Sequence, residues 1–125
     1  MTLFSWNVNG IRAVLRKGDF TKFIEAYKPD ILCLQETKAE RGQVEIDLPG
    51  YNENWNSAQK KGYSGTAIFS KDQPLGIVNG FPQDLAKKYN LIDHKDRDSS
   101  TEGRVITAEF EKFYVVTVYT PNAKD

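Results

Sequence analysis

Residues 31–38 read ILCLQETK, and this stretch decides how the rest of the chain is interpreted. Four apolar residues are followed, without a spacer, by polar and charged side chains. A short continuous apolar run of this kind, introduced by Pro29 and Asp30, is typical of a strand buried on both faces. Glu36 then lies just past the C-terminal end of a strand, where sheet proteins often place their chemistry. The sequence therefore predicts a buried strand over 31–34 and a candidate site at Glu36.

The preceding segment predicts a partner for Glu36. Residues 3–7 form a predicted first strand, and apolar residues then recur at helical spacing with Asp19 as the predicted N-cap. These residues are Phe20, Phe23, Ile24 and Tyr27. Strand, helix, strand predicts a right-handed crossover between two parallel strands. The C-terminal ends of both strands, at Asn7 and Glu36, should therefore open on the same edge of the sheet.

Five further segments have the composition of strands: 51–55, 65–70, 76–79, 104–110 and 113–119. The last two are joined at Glu111 and Lys112 as a predicted hairpin. The sequence predicts one clear helix beside these strands. This pattern indicates an α/β fold with too few helices to cover both faces of its sheet.

Two more predictions concern the hairpin and the segment that precedes it. In the hairpin, Val115, Thr117 and Tyr119 alternate with Tyr114, Val116 and Val118, so one face is predicted to stay open. Residues 83–103 are polar and charge-dense, and they predict a long solvated loop.

Length and composition indicate one globular unit over 1–125. The chain has 125 residues, of which 39% are hydrophobic and 27% charged, and no apolar run approaches the roughly 18 residues of a membrane span. We therefore expect an intracellular protein with no membrane segment. The single Cys33 lies in the apolar run and is predicted to be a buried hydrophobe. Seventeen basic and seventeen acidic residues balance, so any anion site must be local.

Four polar stretches stand out as candidates for chemistry. They are SWNVNGIR (5–12), LQETK (34–38), GYSG (62–65), and EGRV (102–105) with YTPNA (119–123). None is a P-loop, a dinucleotide fingerprint or a zinc motif. A carboxylate beside an amide at a strand edge suits a hard cation such as Mg²⁺, which accepts a few oxygen ligands and keeps several waters.

Taken in this order, the stretches resemble the N-terminal half of the exonuclease III type of abasic-site (AP) endonuclease, within the endonuclease, exonuclease and phosphatase superfamily. The resemblance covers essentially the whole chain. It implies half of a four-layered α/β sandwich, a mixed β-sheet with helices on its outer face. It also implies Mg²⁺-dependent cleavage of double-stranded DNA 5′ to abasic sites, with Mn²⁺ as an alternative cation.

The same resemblance assigns residue roles. Glu36 is implied as a metal ligand, together with Asn7, which would also hold the attacking water or its general base in position. Tyr119 and Asn122 would hydrogen-bond the scissile phosphate. The implied contacts to the DNA backbone are Arg12, Lys17, Lys38, Gly62, Tyr63 and Arg104. Asn9, where some family members have aspartate, is not assigned as a ligand.

The family's second half supplies a Gly-Asp-Xaa-Asn strand end and a Ser-Asp-His segment, and neither occurs in residues 1–125. The dipeptide Asp93-His94 is not preceded by serine, and His94 is predicted to lie on the surface. We therefore expect an incomplete domain that is inactive alone. Its expected partners are the missing C-terminal half, or a second copy bound through the open sheet face.

Two other interpretations stay open. Another superfamily phosphatase or phosphodiesterase, acting on a phospholipid or inositol phosphate, would share the asparagine and the glutamate but would not be expected to keep GYSG and YTPNA together. A noncatalytic interaction module would instead use the open sheet face as a binding surface.

Overall fold

The computed structural model describes residues 1–89 and 99–122. Within these residues the elements follow in the order β1 (Leu3–Asn7), α1 (Ile11–Arg16), α2 (Asp19–Tyr27), β2 (Ile31–Gln35), β3 (Asn52–Asn56), β4 (Thr66–Ser70), β5 (Gly76–Asn79), α3 (Gln83–Tyr89), β6 (Val105–Glu109) and β7 (Tyr114–Val118). Single 3₁₀ turns lie at Arg41–Gln43 and Ser99–Thr101. Every strand that the sequence predicts is present, with bounds that differ by at most one residue at either end.

The described strands form two sheets. The first has the order β1-β2-β4-β3, with β1 parallel to β2 and the other pairs antiparallel. The second is antiparallel, with the order β5-β6-β7. The α/β class, the parallel crossover and the β6–β7 hairpin are confirmed. The expectation of a single sheet is wrong, because the last three strands form a separate sheet that packs on the first.

The ILCL run faces two different cores. Leu32 and Leu34 pack with Phe20 and other residues of the helical layer, whereas Ile31 and Cys33 pack against the second sheet. All four residues of the run are at most 4% exposed, which confirms the buried strand. Helices therefore cover one face of the first sheet and the second sheet covers the other.

Three local predictions differ from the structure. Asp19 is the first residue of α2 rather than its N-cap, and Gly18 occupies the cap with a left-handed φ of 79°. Helix α1 was not predicted, because its six residues are too few for a clear period. The predicted loop is wrong for 83–89, which form α3. Residues 90–98, including His94, lie outside the described residues.

The outer face of the hairpin is open, as the alternation predicts. Tyr114, Val116 and Val118 are 67%, 55% and 50% exposed, while Val115 and Thr117 between them are buried. No helix in the described part of the chain has the length and apolar character needed to cross a bilayer.

The strand directions bring the polar motifs to one edge of the fold. The C-terminal ends of β1, β2 and β7 meet there with the N-terminal ends of β4 and β6, as the strand registers require. Asn7, Glu36, the GYSG segment, Arg104 and Tyr119 therefore lie on this edge.

Candidate active site

The backbone of 36–38 is held between two neighbouring segments. Gly10 N–H donates to the Glu36 carbonyl at 2.7 Å, and Lys38 N–H donates to the Ser64 carbonyl at 2.8 Å. Glu36 and Lys38 have left-handed φ angles of 54° and 52°. Residues other than glycine hold this conformation only where the surroundings impose it, commonly at functional sites. As a result, Glu36 and Lys38 remain partly exposed while Thr37 is fully buried.

Gly65, the last residue of GYSG, permits this close approach. Its carbonyl accepts the Thr37 N–H at 3.1 Å, and its φ is +91°. A Cβ at this position would collide with the Thr37 hydroxyl. Both the backbone angle and the space therefore require glycine here.

The Glu36 carboxylate is held in a polar environment. Asn7 Nδ2 donates to Glu36 Oε1 at 3.0 Å, and Lys38 Nζ lies 3.5 Å from Oε2. The Glu36 side chain is 20% exposed. The Asn7 hydrogen bond is the main cause that lowers the pKa of Glu36, with smaller contributions from the Tyr119 hydroxyl and the Lys38 charge, while burial opposes the shift. Glu36 is therefore ionised at neutral pH.

Asn7 is oriented by Asn9. The Oδ1 atom of Asn7 accepts the Asn9 N–H at 3.1 Å, which directs its Nδ2 group to Glu36. Asn9 Oδ1 in turn accepts a hydrogen bond of 2.6 Å from Lys38 Nζ. In this arrangement Asn7 serves as the donor that orients Glu36. A role for Asn7 as an oxygen ligand stays a prediction, and it would require the amide to turn over.

Tyr119 approaches Glu36 from the second sheet. Its hydroxyl lies close enough to the Glu36 carboxylate to affect the ionisation of both groups. Burial raises the pKa of Tyr119, and the hydrogen bond and charge of Glu36 raise it further. The phenol therefore keeps its proton at neutral pH and can donate it in a hydrogen bond. Asn122, three residues further along, is exposed.

Arg104 links the GYSG segment to the EGRV and YTPNA segments. Its guanidinium donates to the Tyr119 carbonyl at 3.2 Å and to the Tyr63 hydroxyl at 2.9 Å, and it lies 3.4 Å from Glu102. Both members of the ion pair are buried, Arg104 being 6% and Glu102 7% exposed. The guanidinium also lies 5.0 Å from the centre of the Tyr119 ring. This placement favours support of Tyr119 over direct contact with DNA, and sequence reasoning had missed Glu102.

The other residues predicted to contact the DNA backbone or the scissile phosphate make no described contact with the Glu36 side chain. Arg12, on α1, donates to the Lys38 carbonyl at 3.3 Å and so borders the site. Lys17, Gly62 and Asn122 are exposed, and none of them joins the described contacts around Glu36. The structure thus brings Asn7, Glu36 and Lys38 into direct contact, places Tyr119 beside Glu36, and leaves those three around or beyond the cluster.

The donor set fits a partly protein-bound cation. Among residues 1–89 and 99–122 there is no group of three or more His, Cys, Asp or Glu side chains that could hold a metal alone. Mg²⁺ is commonly bound by one or two carboxylates, with waters and substrate phosphates as its other ligands. One ionised and partly exposed carboxylate, at Glu36, fits this pattern.

The chain belongs to the endonuclease/exonuclease/phosphatase family, whose model matches residues 4–121. It is 50% identical over 124 residues to an exodeoxyribonuclease of Bacillus subtilis, a match that covers 99% of this chain and 44% of that protein. It is 42% identical over 125 residues to a DNA-(apurinic or apyrimidinic site) endonuclease of Dictyostelium discoideum, covering 98% of this chain and 31% of that protein.

A solved structure agrees with these relatives. The catalytic domain of Xenopus laevis APE2 matches with a TM-score of 0.74 and 28% identity, over 99% of this chain and 46% of that domain. The resemblance to exonuclease III type AP endonucleases is therefore confirmed. The chain spans less than half the length of each of these three proteins.

Proposed function

We propose that this chain carries the metal- and phosphate-binding half of a DNA-repair hydrolase that cuts the DNA backbone 5′ to abasic sites. The observation that supports it most directly is the Glu36 carboxylate, which is held at the sheet edge by Asn7 and Lys38 with the Tyr119 hydroxyl beside it. The names of the relatives, an exodeoxyribonuclease and an apurinic or apyrimidinic site endonuclease, support the same substrate class. An intracellular location would follow from this role.

Glu36 would hold Mg²⁺, or Mn²⁺ as an alternative, and the bound cation would stabilise the negative charge that develops on the phosphate. The chain's own residues have separate tasks. Asn7 keeps the carboxylate oriented, and the Tyr119 hydroxyl, which lies beside that carboxylate, would turn its one proton to a phosphate oxygen when DNA binds. Lys38 and Arg12 place positive charge beside Glu36 and suit contacts to the DNA backbone, which need only be local.

We also propose that the C-terminal half of the same domain completes both sheets. β1 and β7 are edge strands of their sheets, and between them lies a groove of about 450 Å³. Leu3, Cys33 and Val116 are among its lining residues. Relatives more than twice as long as the matched segment have the further chain needed to fill this groove and to supply a base for the attacking water. Self-association through the open hairpin face is the expected alternative when that half is absent.

The test uses the domain assembled from this chain and a polypeptide that carries the C-terminal half. In it, Glu36→Gln should lower the cleavage of abasic duplex DNA by at least about a hundredfold and raise the Mg²⁺ concentration needed for half-maximal activity. Glu25→Gln is the matched control, because Glu25 is an exposed residue of α2. It should leave both quantities unchanged.

Three results would contradict the proposal. One is an unchanged Mg²⁺ requirement in the Glu36→Gln domain. The second is an equal loss of activity in Glu25→Gln. The third is an assembled domain that hydrolyses inositol phosphates or phospholipids and leaves abasic DNA intact, which would favour the phosphatase alternative.

A further inference from the structure

Gln35, the residue immediately before Glu36, joins three strands through one side chain. It is the last residue of β2, and its Nε2 group donates to Ser5 Oγ and to Thr117 Oγ1, each at 3.0 Å. Ser5 lies in β1 of the same sheet, whereas Thr117 lies in β7 of the other. A single amide therefore connects the two sheets one residue before Glu36.

Thr117 is a buried polar residue at the mostly apolar interface between the two sheets. It is 4% exposed beside the cluster formed by Ile31, Cys33, Ile106 and Val115. Its hydroxyl also lies near the Cys33 thiol and partly offsets the rise in the pKa of that thiol. Apolar contacts are non-directional and tolerate small displacements, while a buried hydroxyl loses its partners when it moves. The hydrogen bond from Gln35 to Thr117 therefore favours one position of β7 on the first sheet.

The other described side-chain hydrogen bonds between the sheets hold different strands. Asn56 Nδ2 donates to the Val105 carbonyl at 2.9 Å, Thr66 Oγ1 donates to the Gly103 carbonyl at 3.1 Å, and Asn79 Nδ2 donates to the Trp55 carbonyl at 3.4 Å. These bonds hold the start of β6, the turn before it and the end of β5. Along β7 itself, the described side-chain bond to the first sheet is the one at Thr117, two residues before Tyr119. The pairing with β6 and the bond from Tyr119 N–H to the Arg104 carbonyl, at 2.8 Å, hold the strand from its other side.

We propose that Gln35 is a positioning residue, whose hydrogen bond to Thr117 fixes β7 against β2 so that the Tyr119 hydroxyl meets the Glu36 carboxylate. This inference rests on the proposed function where it concerns DNA cleavage. The geometric part, the contact between Tyr119 and Glu36, can be measured in the chain alone.

Three variants separate the cross-sheet bond from other effects. Thr117→Val keeps the shape and removes the acceptor for Gln35. Thr117→Ser keeps the hydroxyl and should behave like the wild type. Ser5→Ala removes the other hydrogen bond of Gln35, the one within the first sheet, and is the matched control.

The first measurement is the nuclear Overhauser effect between the Tyr119 ring and the Glu36 side chain. The sample is the purified chain with isotopically labelled tyrosine and glutamate. We expect it to be weakened in Thr117→Val and retained in Thr117→Ser and Ser5→Ala. An undiminished effect in Thr117→Val would overturn the inference, and so would an equal weakening in Ser5→Ala. If Thr117→Val does not fold, Gln35→Met, which removes the donor and keeps the length, replaces it with the same expectations.

The second measurement is cleavage of abasic DNA by the assembled domain. Thr117→Val should lower kcat about five- to tenfold, the equivalent of one hydrogen bond, with KM for DNA unchanged. Thr117→Ser should lie within about twofold of the wild type. An unchanged kcat in Thr117→Val would overturn the inference. An assembled wild-type domain without any activity would refute the proposed function instead, and the Overhauser comparison would still decide the position of Tyr119.

Discussion

The two sheets contain similar residues and are packed very differently. In β2 of the first sheet, the neighbours Leu32 and Cys33 are 0% and 4% exposed, so both faces are covered. In β7 of the second sheet, Val115 is 7% exposed and Val116 is 55% exposed, so one face is covered. The site draws on both, since Glu36 follows β2 and Tyr119 follows β7. The proposed metal ligand Glu36 thus follows a fully packed strand, and the proposed phosphate contact Tyr119 follows a half-covered one.

Truncating the core of the first sheet should have the largest effect. Phe69 is fully buried, and its ring centre lies 5.7 Å from that of Phe20 and 5.9 Å from that of Trp55. Phe69→Ala should lower the free energy of unfolding by about 3–5 kcal/mol, measured by urea denaturation. A loss below about 1 kcal/mol would mean that the first sheet is not packed as described.

Cys33 reports on the interface between the sheets. Burial raises the pKa of its thiol from 9.0 to about 11. At about pH 8 the thiolate fraction should therefore be about a hundredfold smaller than in the unfolded chain, and alkylation by iodoacetamide slower by at least that factor. The denatured chain is the control. Equal rates in the native and denatured chain would show that the sheets open readily around Cys33.

The ionisation of Glu36 should make a smaller, pH-dependent contribution to the free energy of unfolding. The pKa of its carboxyl is lowered below 4.5 in the fold, chiefly by Asn7. The resulting stability is present above the unfolded pKa and lost as pH falls through the folded one. Near neutral pH, Glu36→Gln should therefore lower the free energy of unfolding by about 1 kcal/mol, and the difference should shrink in acid. A difference that stays constant from neutral to acid pH would contradict the described contacts.

The open face of the second sheet should tolerate change best. Val116→Thr, which keeps the β-branched shape, should alter the free energy of unfolding by no more than about 0.5 kcal/mol. Val116→Lys should shift the sedimentation of the purified chain from dimers or larger species to monomer. A wild-type chain that is monomeric and binds no hydrophobic dye would show that the face does not drive association.

The sequence was sufficient for the parts of the fold that depend on local pattern. The ILCL run has no polar position, so a strand buried on both faces was predictable, and strand, helix, strand placed Asn7 and Glu36 on one edge. The division into two sheets was not predictable in this way. Residues 114–118 carry valine or tyrosine side chains on both faces of β7, much as residues 31–34 are apolar on both faces of β2. Which faces are covered depends on residues far away in the sequence.

In the candidate site, too, the features set by local pattern were predictable and those set by residues distant in the sequence were not. Glu36 was identifiable because a charge directly follows a buried run. The Gln35 to Thr117 bond joins residues 82 positions apart, and no local period indicates it. Glu102 had a weak signal, as an acid two residues before an arginine at the start of an apolar strand, but its burial with Arg104 is a tertiary property.

The central claim is that this chain holds one half of an active site whose second sheet needs the other half. The direct measurement is nicking of a duplex with a single abasic site, by the chain alone and after mixing with a polypeptide that carries the Gly-Asp-Xaa-Asn and Ser-Asp-His segments. The chain alone should lack cleavage, because proton transfer by the missing base is typically worth about 10²- to 10⁴-fold. The mixture should cut 5′ to the site when Mg²⁺ is present. Nicking by the chain alone that survives repurification and is abolished by Glu36→Gln would contradict the account.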